Sequence, residues 1–146
     1  MKITTSRFGE LECREDVLIR FPSGIIGFPR STRYIILDHD REAPFKWLQS
    51  VDEGDLAFVI MDPRLFKPDY QATMEPAALA DLGTPADEDL ILFVLLTVPP
   101  GDPDHITANL RAPVVVHEPT RKAKQVILHD ELPTRYPLFA QPVACP

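Results

Sequence analysis

The 146-residue sequence has two cysteines, Cys13 and Cys145, near its opposite ends. They allow one disulfide at most and imply no framework, so a reducing compartment is the expected setting. Positive charge is in short supply too. Lys and Arg number 15 against 22 Asp and Glu, a net charge of −7 with a pI near 5.0. That argues against a protein whose main contact is a phosphate backbone. It leaves room for one that binds a nucleic-acid-binding protein. No apolar run is long enough to span a bilayer. The longest, Leu90 to Val98, is about half a span. Met1 to Thr5 carries no apolar leader segment. The expectation is a soluble, cytoplasmic protein with no membrane contact.

Motifs for chemistry are equally scarce. There is no G-x-S-x-G elbow and no glycine-lysine phosphate loop. No two of the histidines His39, His105, His117 and His129 stand at ligand spacing. His129-Asp130 could orient an imidazole, but no nucleophile points to it. The expectation is no catalytic residue, no metal and no cofactor.

What the chain does have is proline, 16 residues spread along its length. Proline removes a backbone donor and stops helices, which favours short strands joined by stiff loops. At this length a single domain buries roughly 70% of its unfolded surface and needs no staples. The stretch from Pro44 to Tyr70 is the most informative. Phe45 to Ser50 and Leu56 to Met61 flank the acidic turn Asp52-Glu53-Gly54-Asp55, as in a hairpin. The first run alternates Phe45, Trp47 and Gln49 against Lys46, Leu48 and Ser50. The second is apolar almost throughout, as a strand buried on both faces is.

Around this hairpin the same logic predicts further strands. Lys2–Arg7 and Glu10–Arg14 flank Phe8-Gly9 as a first hairpin, and Val17–Phe21, Arg33–Leu37 and Leu90–Val98 read as strands. Ile106–Leu110 alternates until Ala112-Pro113 interrupts it, which marks an edge or a bulge. Val114–His117 and Gln125–Leu128 pair across a basic turn. The apolar residues of Gly24-Ile25-Ile26-Gly27-Phe28 are expected to tuck inward. One short helix is predicted over Pro76–Leu82. Proline suits its first position, Gly83 stands just past its end, and Leu79 and Leu82 share a face. The predicted fold is mainly β: a small antiparallel β-barrel-like domain over residues 1–146, with a Pro-rich tail from about residue 131.

Four places carry a functional alternative to a bland one. Asp38-His39-Asp40 is a solvated turn sooner than a ligand cluster. Gly24-Ile25-Ile26-Gly27 has the G-x-x-G spacing of an RNA-binding loop but lacks its basic flanks. Asn109 either stabilises the break at Ala112-Pro113 or meets a partner on an exposed edge. Phe66 and Tyr70 either anchor the core or form a binding hot spot flanked by Asp62 and Asp69.

Trp47-Leu48-Gln49-Ser50, Ala57-Phe58-Val59, Asp62-Pro63 and Pro68-Asp69-Tyr70 occur in that order. Thr97-Val98-Pro99, Thr107-Ala108-Asn109-Leu110, Ala112-Pro113-Val114-Val115 and Lys124-Gln125-Val126-Ile127-Leu128 follow, with Phe21 to Phe28 ahead of them all. The ordered set resembles the flagellar assembly factor FliW family from about Lys2 to Phe139. The resemblance implies a non-enzymatic barrel-like protein. It would bind flagellin, and bind the translational regulator CsrA to relieve repression of flagellin mRNA. The partner surface is expected on Asp62, Phe66, Asp69 and Tyr70 together with Thr107, Asn109, Leu110 and Pro113. The rival reading is a small-molecule-binding β-barrel with the Trp47 strand lining its cavity.

Overall fold

The computed structural model describes residues 1–38, 44–72, 74, 76–83, 89–102, 105–129 and 131–138. The His39-Asp40 part of the acidic turn and the Cys145-Pro146 end of the tail lie outside them.

Strands β1 (Lys2–Thr5) and β2 (Gly9–Glu12) pair with each other as a separate antiparallel hairpin. The short 3-10 turn η1 (Glu15–Val17) follows. Strands β3 (Ile19–Arg20), β4 (Arg33–Asp38), β5 (Lys46–Ser50) and β6 (Ala57–Met61) then form an antiparallel run. Two more 3-10 segments come next, η2 (Pro63–Leu65) and η3 (Pro76–Leu82). The remaining strands are β7 (Leu90–Thr97), β8 (Thr107–Ala108), β9 (Val114–His117), β10 (Lys122–Gln125) and β11 (Tyr136–Pro137).

The pairing order β7-β6-β5-β4-β3-β10-β9 returns to β7 and closes a seven-stranded barrel. Six joints of the ring are antiparallel and one, β3 to β10 at Arg20 and Lys122, is parallel. An odd number of alternating strands cannot close otherwise. The predicted antiparallel barrel is therefore correct apart from this seam. Closure removes the free edges that open sheets expose.

The lumen is filled by Ile19, Phe21, Tyr34, Leu48, Ile60, Phe93, Val114 and Val116, with Ile25 entering from the 24–28 loop. Gly24 has φ +69°, and a Cβ there would overlap the Phe28 carbonyl oxygen. Ile25 alone tucks in; Ile26 and Phe28 are 57% and 39% exposed, which corrects the expectation for that loop. Phe28 instead lies edge-on against the Phe58 ring.

Strand β6 is buried on both faces only at its end, where Ile60 fills the lumen and Met61 packs outside it. Side chains alternate across a barrel wall, so only every second residue reaches the lumen. Ile60 is inside, while Ala57 and Val59 face outward and are half-buried. The predicted helix exists, as 3-10 geometry. At three residues per turn Leu79 and Leu82 fall in line and pack over Val115, Val126 and Leu128. The start of the predicted Val17–Phe21 strand is taken by η1, leaving Ile19–Arg20 to pair.

The β1–β2 hairpin covers Ile35, Leu37 and Val51 on the outer wall. It is seated by Ser6 N–H donating to the Gly54 carbonyl at 3.0 Å. Gly54 has no room for a side chain, because a Cβ would overlap the Thr4 carbonyl oxygen. The Gln49 amide nitrogen reaches the carbonyls of Ser50, Gly54 and Leu56 at 2.9, 3.2 and 3.1 Å and pins the turn beneath.

Candidate functional site

The fold joins the two sequence-predicted patches into one. Strands β8 and β9 lie on the same side of β7, β9 along its first half and β8 along its second. They are one strand interrupted by residues 109–113. The Tyr70 hydroxyl donates to the Leu110 carbonyl at 2.7 Å, so the 62–70 loop is fastened onto that interruption.

Burial then divides the predicted residues. Tyr70 is 2% exposed and Leu110 0%, and Pro113 is buried as well. In the free chain these three are packed inside, and Tyr70 and Leu110 anchor the loop to the bulge. The phenol of Tyr70 is pushed up to about 12 by desolvation. Asn109 performs the bland role foreseen for it. Its side-chain oxygen accepts from the amides of Arg111 and Ala112 at 3.1 and 3.2 Å, stabilising the bulge. Thr107 pairs between Thr97 and Pro137 in the sheet. Asp62 caps η2 by accepting from the Arg64 amide at 2.9 Å. Phe66 stacks on the Tyr136 ring with centroids 5.9 Å apart. Asp69 is exposed and pairs with Lys67 at 3.1 Å. Asp62, Phe66, Asp69, Thr107 and Asn109 keep some solvent exposure.

Sequence reasoning missed a larger feature beside this patch. Registers place Trp47, Val59, Leu96, Ala108 and Tyr136 in one row across β5, β6, β7, β8 and β11. Residues in register point to the same face, and the lumen is occupied by their neighbours Leu48 and Ile60. The row is therefore an apolar stripe on the outside of the barrel. The 62–70 loop covers its Tyr136 end. At its Trp47 end an open groove of about 470 Å³ is lined by Phe45, Trp47, Val59, Leu96, Val98 and Ile106. Val98 is 44% exposed. From the hairpin tip, the Arg7 guanidinium stands over the Trp47 ring at 4.9 Å and Phe8 meets it edge-on at 5.7 Å. The clue in the sequence was the alternation of Phe45 and Trp47, whose face proved to be the outer one. A separate hollow of about 410 Å³ is lined in part by Ile26, Asn109 and Ile127.

Two further features bear on chemistry. Asp52 accepts from the amides of Thr32 and Arg33, both at 3.0 Å, and from the Arg33 guanidinium at 2.9 and 2.7 Å. Desolvation raises its pKa, but these hydrogen bonds together outweigh it and hold the carboxyl below the usual range. Among the described residues no group of three or more His, Cys, Asp or Glu is placed to hold a metal ion. No helix among them is long and apolar enough to cross a membrane.

The chain is similar to known proteins over almost all of its length. A family model for FliW protein matches residues 2–138. The flagellar assembly factor FliW of Natranaerobius thermophilus is 41% identical over 95% of this chain and 93% of its own. That of Syntrophus aciditrophicus is 42% identical over 95% of this chain and 88% of its own. A crystal structure of the flagellar assembly factor FliW superposes with a TM-score of 0.89 at 36% identity, covering 98% of this chain and 100% of that one. With the closed barrel and the ordered motifs in agreement, this chain belongs to the FliW family.

Proposed function

We propose that this protein is a non-enzymatic, cytoplasmic partner-switching factor of flagellar assembly. It binds CsrA and thereby relieves repression of flagellin mRNA. Flagellin competes for it, so that free flagellin tunes its own synthesis. The observation that carries this reading is family membership along the whole barrel, from residue 2 to residue 138. The acidic composition fits a protein that acts on an RNA-binding protein and not on RNA. The outer groove at Trp47 leaves a small-molecule carrier as a second reading. Its ligand would sit on the wall and not in the lumen, which is packed with side chains.

Charge alone does not supply the switch. A pair of unit charges about 10 Å apart in water is worth about 0.4 kcal/mol before screening, and physiological salt reduces this further. Several pairs reach about 1 kcal/mol, roughly fivefold in affinity. Steric exclusion, or a change in the regulator, carries the rest.

The test is release of flagellin mRNA from CsrA on addition of this protein, measured by gel shift at rising salt. Release is expected to persist as long as the two proteins stay bound. RNA binding restored by salt while the protein pair remains intact would move the effect to charge. Calorimetry in which the protein binds neither CsrA nor flagellin would end the reading altogether.

A further inference from the structure

Two isoleucines are held out of the core by pinned backbone, one on either side of the hollow beside the bulge. The chain runs on past Gln125 with the Val126 amide donating to the Pro113 carbonyl at 3.0 Å and the Leu128 amide to the Arg111 carbonyl at 2.8 Å. Val126 and Leu128 are thereby buried, and alternation turns Ile127 outward to 60% exposure. From the other side, Gly24 and Gly27, at φ +69° and +92°, fold the 24–28 loop so that Ile25 fills the lumen and Ile26 stands out, 57% exposed. One side chain locks these pieces together. The Gln125 side-chain oxygen accepts from the Ile26 amide at 2.9 Å, and its side-chain nitrogen donates to the Ala112 carbonyl at 3.1 Å. Single exposed apolar residues are ordinary. Two of them fixed around one hollow of about 410 Å³ make a preorganised anchor site.

Charge selects the occupant. Arg111 is the one charged residue among those that line the hollow. It is exposed, and among the described residues no carboxylate pairs with it. Of the two partners in the proposed function, the regulator binds mRNA and must present cations to its phosphates. The acidic surplus of the chain, 22 acids against 15 bases, attracts such a protein to other parts of the surface. A hollow with one cation and no acid disfavours it. We propose that this hollow docks flagellin, through a segment that sets an apolar side chain between Ile26 and Ile127 and an Asp or Glu on Arg111. The inference rests on the proposed function and deepens it, by giving one of the two partners a surface. Competition between the partners then needs overlapping footprints, not a shared anchor.

Calorimetric titration of the full chain with the flagellin of the same cell, and separately with its CsrA, tests this. Ile26→Asp, Ile127→Asp and Arg111→Glu change exposed positions of the hollow, and Val98→Asp adds the same charge at the Trp47 groove. Flagellin is expected to lose at least tenfold in affinity with each isoleucine variant, as an anchor contact does. It should weaken also with Arg111→Glu and keep wild-type affinity with Val98→Asp. CsrA should bind all four variants like the wild type. Ile127→Ala, which adds no charge, should weaken flagellin in the same direction by less, and thermal melts show that each variant is folded. If flagellin binds the wild type and the folded hollow variants equally well, the hollow is overturned while the function stands. Equal weakening by Val98→Asp overturns it as a general effect of charge. Weakening of CsrA, alone or together with flagellin, overturns the assignment to flagellin. A wild type that binds neither protein overturns function and hollow together.

Discussion

At Tyr136 the outer apolar row of the sheet is roofed by the chain's own 62–70 loop, with Tyr70 buried and tied to Leu110 at 2.7 Å. At Trp47 the same row borders an open groove, with the tip of the N-terminal hairpin leaning on the ring. Strand chemistry is alike at both ends, and so is the aromatic–cation pair, Lys67 on Tyr136 and Arg7 on Trp47. The difference is how much chain is at hand to cover each end. The covered end spends its apolar surface on stability, whereas the open end keeps it available. An apolar position on this barrel is thus buried or exposed according to its roof, not its residue type.

The largest effect expected from this contrast comes from Tyr70→Ala. It empties a buried site and strips the Leu110 carbonyl of its donor, a loss of about 3–5 kcal/mol, measurable by urea denaturation. Val98→Asp at the open end should stay within about 0.5 kcal/mol of wild type in the same assay. Equal losses from the two would erase the distinction between the ends.

A smaller effect sharpens the comparison at the hairpin. Gly54→Ala forces a Cβ onto the Thr4 carbonyl and lifts the hairpin from its seat. Overpacking of this kind costs about 1–3 kcal/mol. Arg7 and Phe8 should loosen from Trp47 at the same time, giving a red-shifted indole emission. An unshifted emission would mean that the hairpin tip holds its place without the Gly54 contact.

The smallest effect is titratable and lies under the same hairpin. The folded state holds Asp52 below its ordinary pKa, so the ionised carboxylate stabilises the fold above the unfolded value of about 3.9. That contribution is lost as pH falls through the lower folded value. Asp52→Asn should therefore be less stable than wild type at pH 7, with the gap in melting temperature closing as pH drops below about 4. A gap that persists unchanged to low pH would assign the loss to geometry instead of charge.

Much of the barrel was legible in the chain. Alternation marked the β5 and β8 strands, unbroken apolar runs marked β6 and β7, proline and glycine marked the breaks, and Ala112-Pro113 marked the bulge. Pro76 and Gly83 bounded the helical segment, although its 3-10 form was not readable, since the i, i+3 spacing of Leu79 and Leu82 suits both helices. Which residues of the proposed partner patch are buried was not legible. Aromatics flanked by acids look the same in sequence whether they anchor a loop or greet a partner, and Tyr70 proved to be an anchor.

Local sequence, through periodicity and backbone restriction, determined where strands run and where they stop. It also determined the net charge of −7. Tertiary structure alone decided which face of each strand meets the lumen, because alternation defines two faces without naming the inner one. Ring closure by seven strands imposed the parallel seam at Arg20 and Lys122. The roof that buries Tyr70, and the space left open beside Trp47, follow from where distant loops land, and residues far apart in the chain carry no local signal of that.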